Sequence, residues 1–170
     1  MRALVPLISS LLIAGCATPD ELGPVKGPAA PLVNAAGASV GAVQAEPRAG
    51  GTYLRIAVQD LAPGDHGLHL HAIGRCDGPE FQSAGAHWNP AGKQHGYLNP
   101  VGAHAGDLPN LTVSANGRGA INFLVAGGSL ADADGTSLVI HAKPDDYKTD
   151  PSGSSGDRIA CAVLAAPNAP

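Results

Sequence analysis

Charge is scarce in this chain. Only 14 % of the residues are charged against 44 % hydrophobic, which excludes a strongly charged disordered polypeptide. Positive charge is not in excess either: the formal net charge is −4, so there is no basic footprint for nucleic acid. The apolar stretch from Leu4 to Ile13 is too short to span a bilayer comfortably. There is little helix-like periodicity and no internal repeat. Cysteine is rare: three residues, Cys16, Cys76 and Cys161, an odd number that leaves one over if two pair.

Turn formers and histidine are what the chain does have. Twenty-three Gly and fifteen Pro favour many short strands joined by turns and loops. A length of 170 residues suggests one domain plus a leader or tail. The leader is legible: Arg2, an apolar core over Leu4–Ile13, then Ile13-Ala14-Gly15-Cys16. This resembles a bacterial lipobox, which implies cleavage before Cys16 and a lipid on it. An ordinary signal peptide or a short buried helix is the plainer alternative. The expected organisation is a signal peptide over 1–15, a lipidated cysteine and flexible tether over 16–30, and one domain over 31–170. Pro19, Gly23, Pro24, Gly27 and Pro28 make the tether extended. Ala17 after the cysteine, rather than Asp, points to the outer membrane under the common sorting rule.

Eight short strands are expected. They run over Leu32–Asn34, Ser39–Gln44, Thr52–Gln59, Gly67–Ala72, Leu111–Ser114, Ala120–Val125, Ser137–His141 and Arg158–Leu164. Pro63-Gly64-Asp65 reads as a turn, and Asn116-Gly117 as a hairpin signal. Two long loops, Ile73–Gly106 and Ala142–Asp157, are the expected functional segments. The fold class is all-β, an antiparallel sandwich or barrel.

Apart from His66, every histidine stands where it can be read as part of a metal site. His69 and His71 alternate with Leu68 and Leu70, so both imidazoles project from one strand face. Alone, such a pair is a weak signal. His87, His95, His104, Asp107 and His141 lie along the long loop and the last strands. Three His with one carboxylate make a closed zinc set, and four imidazoles suit Cu(II). One ring must serve both ions for that count to close. Taken singly, His104 and Asp107 could be a solvated pair, Asp145 a turn cap, and Arg158 a surface residue. Trp88 reads as a packing residue.

Five blocks together are specific: GLHLHAIG, SAGAHWNP, HAGDLPN, LVIHAKPDD and SGDRIACAVL. In this order they resemble the copper/zinc superoxide dismutase family from about Pro31 to Leu164, in its bacterial periplasmic form. The resemblance implies an eight-stranded Greek-key sandwich or barrel. It implies copper on His69, His71, His87 and His141, and zinc on His87, His95, His104 and Asp107, with His87 shared. Asp145 resembles the buried carboxylate that links His69 to His95. Arg158 resembles the guanidinium that docks superoxide beside copper, and Cys76–Cys161 the disulfide that pins the first loop to the last strand. His66 matches a structural histidine.

The implied activity is conversion of superoxide to oxygen and hydrogen peroxide, with His87 and Arg158 as the catalytic residues. A copper-storing relative and a zinc-only adhesion lipoprotein are the rival readings; the copper ligands and Arg158 speak against the first, and the second predicts no copper uptake. The implied partners are superoxide and, through the lipid, a membrane on its periplasmic side. The bacterial branch includes monomers and homodimers. Lys93, Lys143 and Lys148 are candidates for steering the anion. Asp157 departs from the family, which more often has a small or neutral residue before the arginine.

Overall fold

Burial along Gly51–Val58 has the period of two that a half-buried strand requires: Leu54, Ile56 and Val58 are buried while Arg55 and Ala57 are exposed. Residues 27–168 are described in the structure, a computed structural model. The expected leader and Cys16 lie outside the described residues. Nine strands follow in order: β1 (Ala29–Asn34), β2 (Ser39–Arg48), β3 (Gly51–Val58), β4 (Gly64–His66), β5 (Leu68–His71), β6 (Leu111–Val113), β7 (Gly119–Val125), β8 (Thr136–His141) and β9 (Arg158–Ala165). No α-helix occurs among the described residues; one 3-10 turn spans Gln82–Ala84. β1 begins two residues before the expected domain start at Pro31.

All pairings are antiparallel. Seven strands form one curled sheet in the order β5-β8-β9-β1-β2-β3-β7, and β4 pairs with β6. β4 runs into edge strand β5, and β6 leads to the other edge strand, β7. The small pair therefore draws the two sheet edges toward each other, and the sheet closes around Leu32, Leu54, Ile56, Leu68, Leu138 and Ile140, all 0 % exposed.

Two local expectations are corrected. Gly64 and Asp65 are not a turn: they pair with Val113 and Thr112 as β4. The strand expected from Gly67 therefore starts at Leu68, because at Gly67 the chain leaves β6 to join β8. Gly67 N–H donates to Lys143 O and His141 N–H to Gly67 O, each at 2.8 Å. Asn116-Gly117 does form a turn, with Ser114 N–H on Arg118 O at 2.9 Å. The strands beside it form no ladder, since β6 pairs with β4 and β7 takes the free edge of β3.

The long loop 73–106 is tied down at several points. Leu70, Trp88 and Gly106 exchange backbone bonds of 2.8–2.9 Å, which sets the segments carrying His69, His71, His87, His104 and Asp107 side by side. A Cβ at Gly106 would come within 2.5 Å of Leu70 O, so the approach needs glycine. Trp88 is buried, its indole lying against Gly127 and Gly128. Outside the barrel, Phe81, Ala84, Val139 and Cys161 form a satellite core against Cys76 and Val33. Within it Cys76 and Cys161 are joined, 85 residues apart in sequence.

Closing a loop of that length stabilises by about 4–5 kcal/mol in the chain-entropy model, an upper figure. Removing the crosslink in a Cys76→Ala, Cys161→Ala double variant should lower unfolding free energy by up to that amount. Chemical denaturation with and without reductant is the check. An unshifted midpoint would mean that the bond adds nothing to stability.

Candidate metal centre

β5 is extended, so His69 and His71 share a face while Leu68 and Leu70 fill the core on the other. β8 runs beside β5 and delivers His141 at its end. Isolated bridges set His69 beside Asp107 and His71 beside His87. The result is a cluster of imidazoles at one rim of the barrel, covered by both loops. His69 and His95 are 0 % exposed, His71 and Asp107 1 %, and His141 and Asp145 3 %.

Among the described residues, the buried side-chain nitrogens without a hydrogen-bond partner are His69 Nδ1, His71 Nε2, His87 Nε2 and His141 Nε2. These four rings lie close enough together to hold one ion. An unmet buried polar atom costs about 1–3 kcal/mol, so four together call for an occupant. Their other nitrogens reveal the tautomers. His71 Nδ1 meets Gly85 O at 2.9 Å and His141 Nδ1 meets Gly156 O at 3.0 Å. A carbonyl only accepts, so these nitrogens carry the hydrogen and each Nε2 carries a lone pair. His69 Nε2 likewise donates to Asp145 Oδ2 at 2.9 Å, leaving its Nδ1 as the lone pair. Burial pulls His69 down to about 3 and His141 to about 4, so both rings are neutral and ready to ligate. Burial lowers His71 and His87 as well.

The second cluster gathers around one oxygen. Asp107 Oδ1 lies 2.9 Å from His87 Nδ1, 3.0 Å from His95 Nδ1 and 3.1 Å from His104 Nδ1. His87 Nδ1 and His104 Nδ1 are 3.3 Å apart. Asp107 Oδ2 is held by the N–H groups of Gly96 and His104, at 2.9 and 3.0 Å. Three imidazole nitrogens and one carboxylate oxygen thus converge, the donor set of a closed tetrahedral zinc site. By proximity alone His69 also falls within 4.8 Å of His87, His95 and Asp107. Its tautomer assigns it to the first cluster, since its Nε2 is occupied by Asp145.

His87 belongs to both clusters, through Nε2 on one side and Nδ1 on the other. Asp145 joins them a second time, with Oδ2 on His69 Nε2 and Oδ1 on His95 Nε2, both at 2.9 Å. Burial works against a charged His95, yet hydrogen bonds to Asp107 and Asp145 prevail and raise it to about 9. Burial likewise opposes both carboxylate charges. Hydrogen bonds from His87 and His95 hold Asp107, and from His69 and His95 hold Asp145, well below the usual range.

A cleft of about 450 Å³ opens onto the first cluster, lined by His71, His87, His141, Gly156, Ser152 and Arg158. The half-buried guanidinium of Arg158 donates to Phe81 O and Gly85 O, each at 2.8 Å, which fixes it at the wall. Asp157 does not line this cleft. It sits with Glu80 in a neighbouring hollow that shares Gln82 and Arg158 with this cleft. Of the three lysines expected to steer, Lys143 packs along Gly156 at the rim. His66 is used structurally, its nitrogens meeting His141 O at 2.7 Å and Ala62 O at 2.9 Å. A more apolar cleft of about 290 Å³ near Leu130 and Leu164 contains no titratable side chain. The sequence reading missed Asp150, which accepts from His95 N–H at 2.6 Å, and Asn110 and Tyr147, which surround Asp145. Asn110 ends one motif block and Tyr147 follows another, while Asp150 lies between blocks, and a turn residue in a loop carries no periodicity to single it out.

The sequence matches the family described as copper/zinc superoxide dismutase (SODC) over residues 39–164. It is 40 % identical over 144 residues to Cu-Zn superoxide dismutase 1 of Aquifex aeolicus, covering 79 % of this chain and 85 % of that one. It is 42 % identical over 138 residues to the Cu-Zn superoxide dismutase of Caulobacter vibrioides, covering 75 % and 79 %. The crystal structure of a SOD-like protein from Bacillus subtilis superposes with a TM-score of 0.77 at 40 % identity, over 81 % of this chain and 99 % of that one.

The protonated His95 has a measurable consequence. Its raised value means that its proton stabilises the metal-free fold fully below about pH 6.5, a contribution lost as pH rises through about 9. A divalent ion binding at Nδ1 must displace that proton. Zinc affinity of the metal-free protein should therefore climb by up to about tenfold per pH unit from 7 toward 9 on account of this group. Competition with a chelator across that range is the check; a flat profile would mean that His95 is already neutral.

Proposed function

The chain belongs to the copper/zinc superoxide dismutase family, an oxidoreductase family with copper and zinc as cofactors, and from that premise we propose how its residues divide the work. Copper would be held by His69 Nδ1 and by Nε2 of His71, His87 and His141. Zinc would be held by Nδ1 of His87, His95 and His104 with Asp107 Oδ1. The observation that carries this reading is the set of four unpartnered ring nitrogens, one of which belongs to the ring that also faces Asp107. Their tautomers suit one cation at the cleft floor; a second cation beside Asp107 Oδ1 would replace the proton that His87 Nδ1 directs at that oxygen.

The net reaction turns two superoxide anions and two protons into oxygen and hydrogen peroxide. Copper, when bound, supplies the chemistry by taking an electron from one superoxide and giving it to the next. The protein supplies the rest. Arg158 draws the anion into the cleft and orients it, its two outer nitrogens being already committed to fixed carbonyls. His87 Nε2, whenever it is not ligating copper, is the nitrogen able to hold and deliver a proton at the cleft floor. Gly85 O and Gly156 O keep His71 and His141 in the tautomer that ligates. Asp107 and Asp145 offset the positive charge that two divalent ions bring into a buried site.

We further propose that this chemistry takes place in the bacterial cell envelope, on a domain held by lipid at Cys16 and protecting the envelope from superoxide. Two features support this: the Ile13-Ala14-Gly15-Cys16 pattern, and a disulfide of the kind that persists in oxidising compartments. An anion is costly to bury in hydrocarbon, so superoxide formed outside the cytoplasmic membrane needs an enzyme there.

Purified protein should contain copper and zinc and consume a pulse of superoxide. Arg158→Ala should keep its copper yet react on the order of tenfold more slowly, with a weaker dependence on salt. Copper-loaded protein inert toward superoxide would remove the assignment. For the anchor, radiolabelled palmitate should enter the wild-type chain in a bacterial host and not Cys16→Ser; equal labelling would exclude a lipid on that cysteine.

A further inference from the structure

Asp145 has a demanding task for a loop residue, because its two oxygens must meet two different rings at 2.9 Å. The two limbs of the loop 142–157 exchange backbone bonds, Ala142 N–H to Asp157 O, Lys143 N–H to Ser155 O and Asp146 N–H to Gly153 O, at 2.8–3.0 Å. At Asp145 itself a closed ring of three residues fixes the aspartate within that frame. Asp145 N–H donates to Asn110 Oδ1 at 2.8 Å, and Asn110 Nδ2 donates to Asp145 O at 3.0 Å, so one side-chain amide satisfies both backbone groups of the aspartate. Asn110 N–H donates to Tyr147 Oη at 2.7 Å. Tyr147 N–H donates to Asp145 Oδ1, also at 2.7 Å.

Tyr147 extends the ring to the other loop. Its carbonyl accepts Leu98 N–H at 2.8 Å, three residues past His95. Its ring lies 5.9 Å from that of Tyr97, whose hydroxyl donates to Asp107 O. A Cβ at Gly96 would come within 2.0 Å of Tyr147 O, so the two loops touch backbone to backbone. Tyr147 itself sits at φ 60, a left-handed conformation that is unfavourable for a bulky residue. Glycine would be easier there. The side chain is therefore kept for its hydroxyl and its ring.

We propose that Tyr147 and Asn110 are positioning residues: they clamp the Asp145 carboxylate between His69 and His95 and so couple zinc binding to the copper site. Neither reaches substrate or metal; both act through Asp145. The inference rests on the two-metal reading above.

The test uses full-length protein, stripped of metal and reloaded with zinc and copper. Tyr147→Phe removes only the hydroxyl, Asn110→Ala removes the amide pairing, and Tyr147→Gly relieves the backbone while removing the ring. Three quantities are read: the zinc dissociation constant by chelator competition, the Cu(II) spectrum, and the thermal midpoint of the metal-free form. Zinc binding should weaken by about 10- to 100-fold, least in Tyr147→Phe. The Cu(II) spectrum should shift, and the metal-free midpoint should move by only a few degrees. Zinc constants within twofold of wild type, or a Tyr147→Gly variant that binds zinc as well as wild type, would overturn the clamp. So would a metal-free form destabilised as much as the loaded one, which would make the pair merely structural. Wild-type protein whose copper spectrum ignores zinc removal would instead overturn the two-metal reading, and the clamp with it.

Discussion

Every other feature of the site depends on one constraint: each of the four imidazoles of the first cluster must spend one nitrogen on a protein acceptor to free the other. Carbonyls take the hydrogens of His71 and His141, and Asp145 takes that of His69. Those acceptors decide which lone pair faces inward. If Gly85 O or Gly156 O moved, a ring could turn over without any change in the ligand residues. The barrel provides stiffness for this. β5 and β8 are neighbours in the sheet, and their inward faces are fully packed, so the histidines on their outer faces inherit fixed positions.

The loops supply what the strands cannot. Both carboxylates and three of the rings, His87, His95 and His104, come from outside the ladders. They are placed by backbone bonds to Leu70, by Asp150 and Asn110, and by the covalent pin at Cys76. The same loop carries the carbonyls of Phe81 and Gly85 that fix Arg158. Substrate capture and metal geometry thus share one mechanical support. Glu80 and Asp157 line the adjoining hollow, which contains none of the histidines.

Much of this was legible in the sequence, and the limits have physical causes. Strands with one buried face declare themselves by alternation, as Thr52–Val58 does. The HxH pair on β5 follows from the same alternation, and the disulfide and the shared His87 follow from family resemblance. Periodicity fails for three-residue strands. β4 and β6 are too short to show a pattern, and a Pro-Gly-Asp sequence looks like a turn whether or not its neighbours pair. Asn116-Gly117 encodes a turn faithfully but says nothing about which partners the flanking strands choose. Asn110 and Tyr147 were unreadable for another reason. Their role lies in the meeting of two loops, and that meeting is set by tertiary packing alone.

Trp88 gives the molecule a property that none of its chemistry requires. It is the chain's single tryptophan, and it follows His87 directly in the sequence. Its indole is buried against a pair of glycines. All tryptophan emission therefore arises one residue from the imidazole shared by the two clusters. A paramagnetic, redox-active ion on that imidazole quenches light from such a neighbour, whereas a closed-shell ion does not. The protein carries its own optical gauge of which ion it holds, and occupancy can be followed without a label, in dilute solution and in real time.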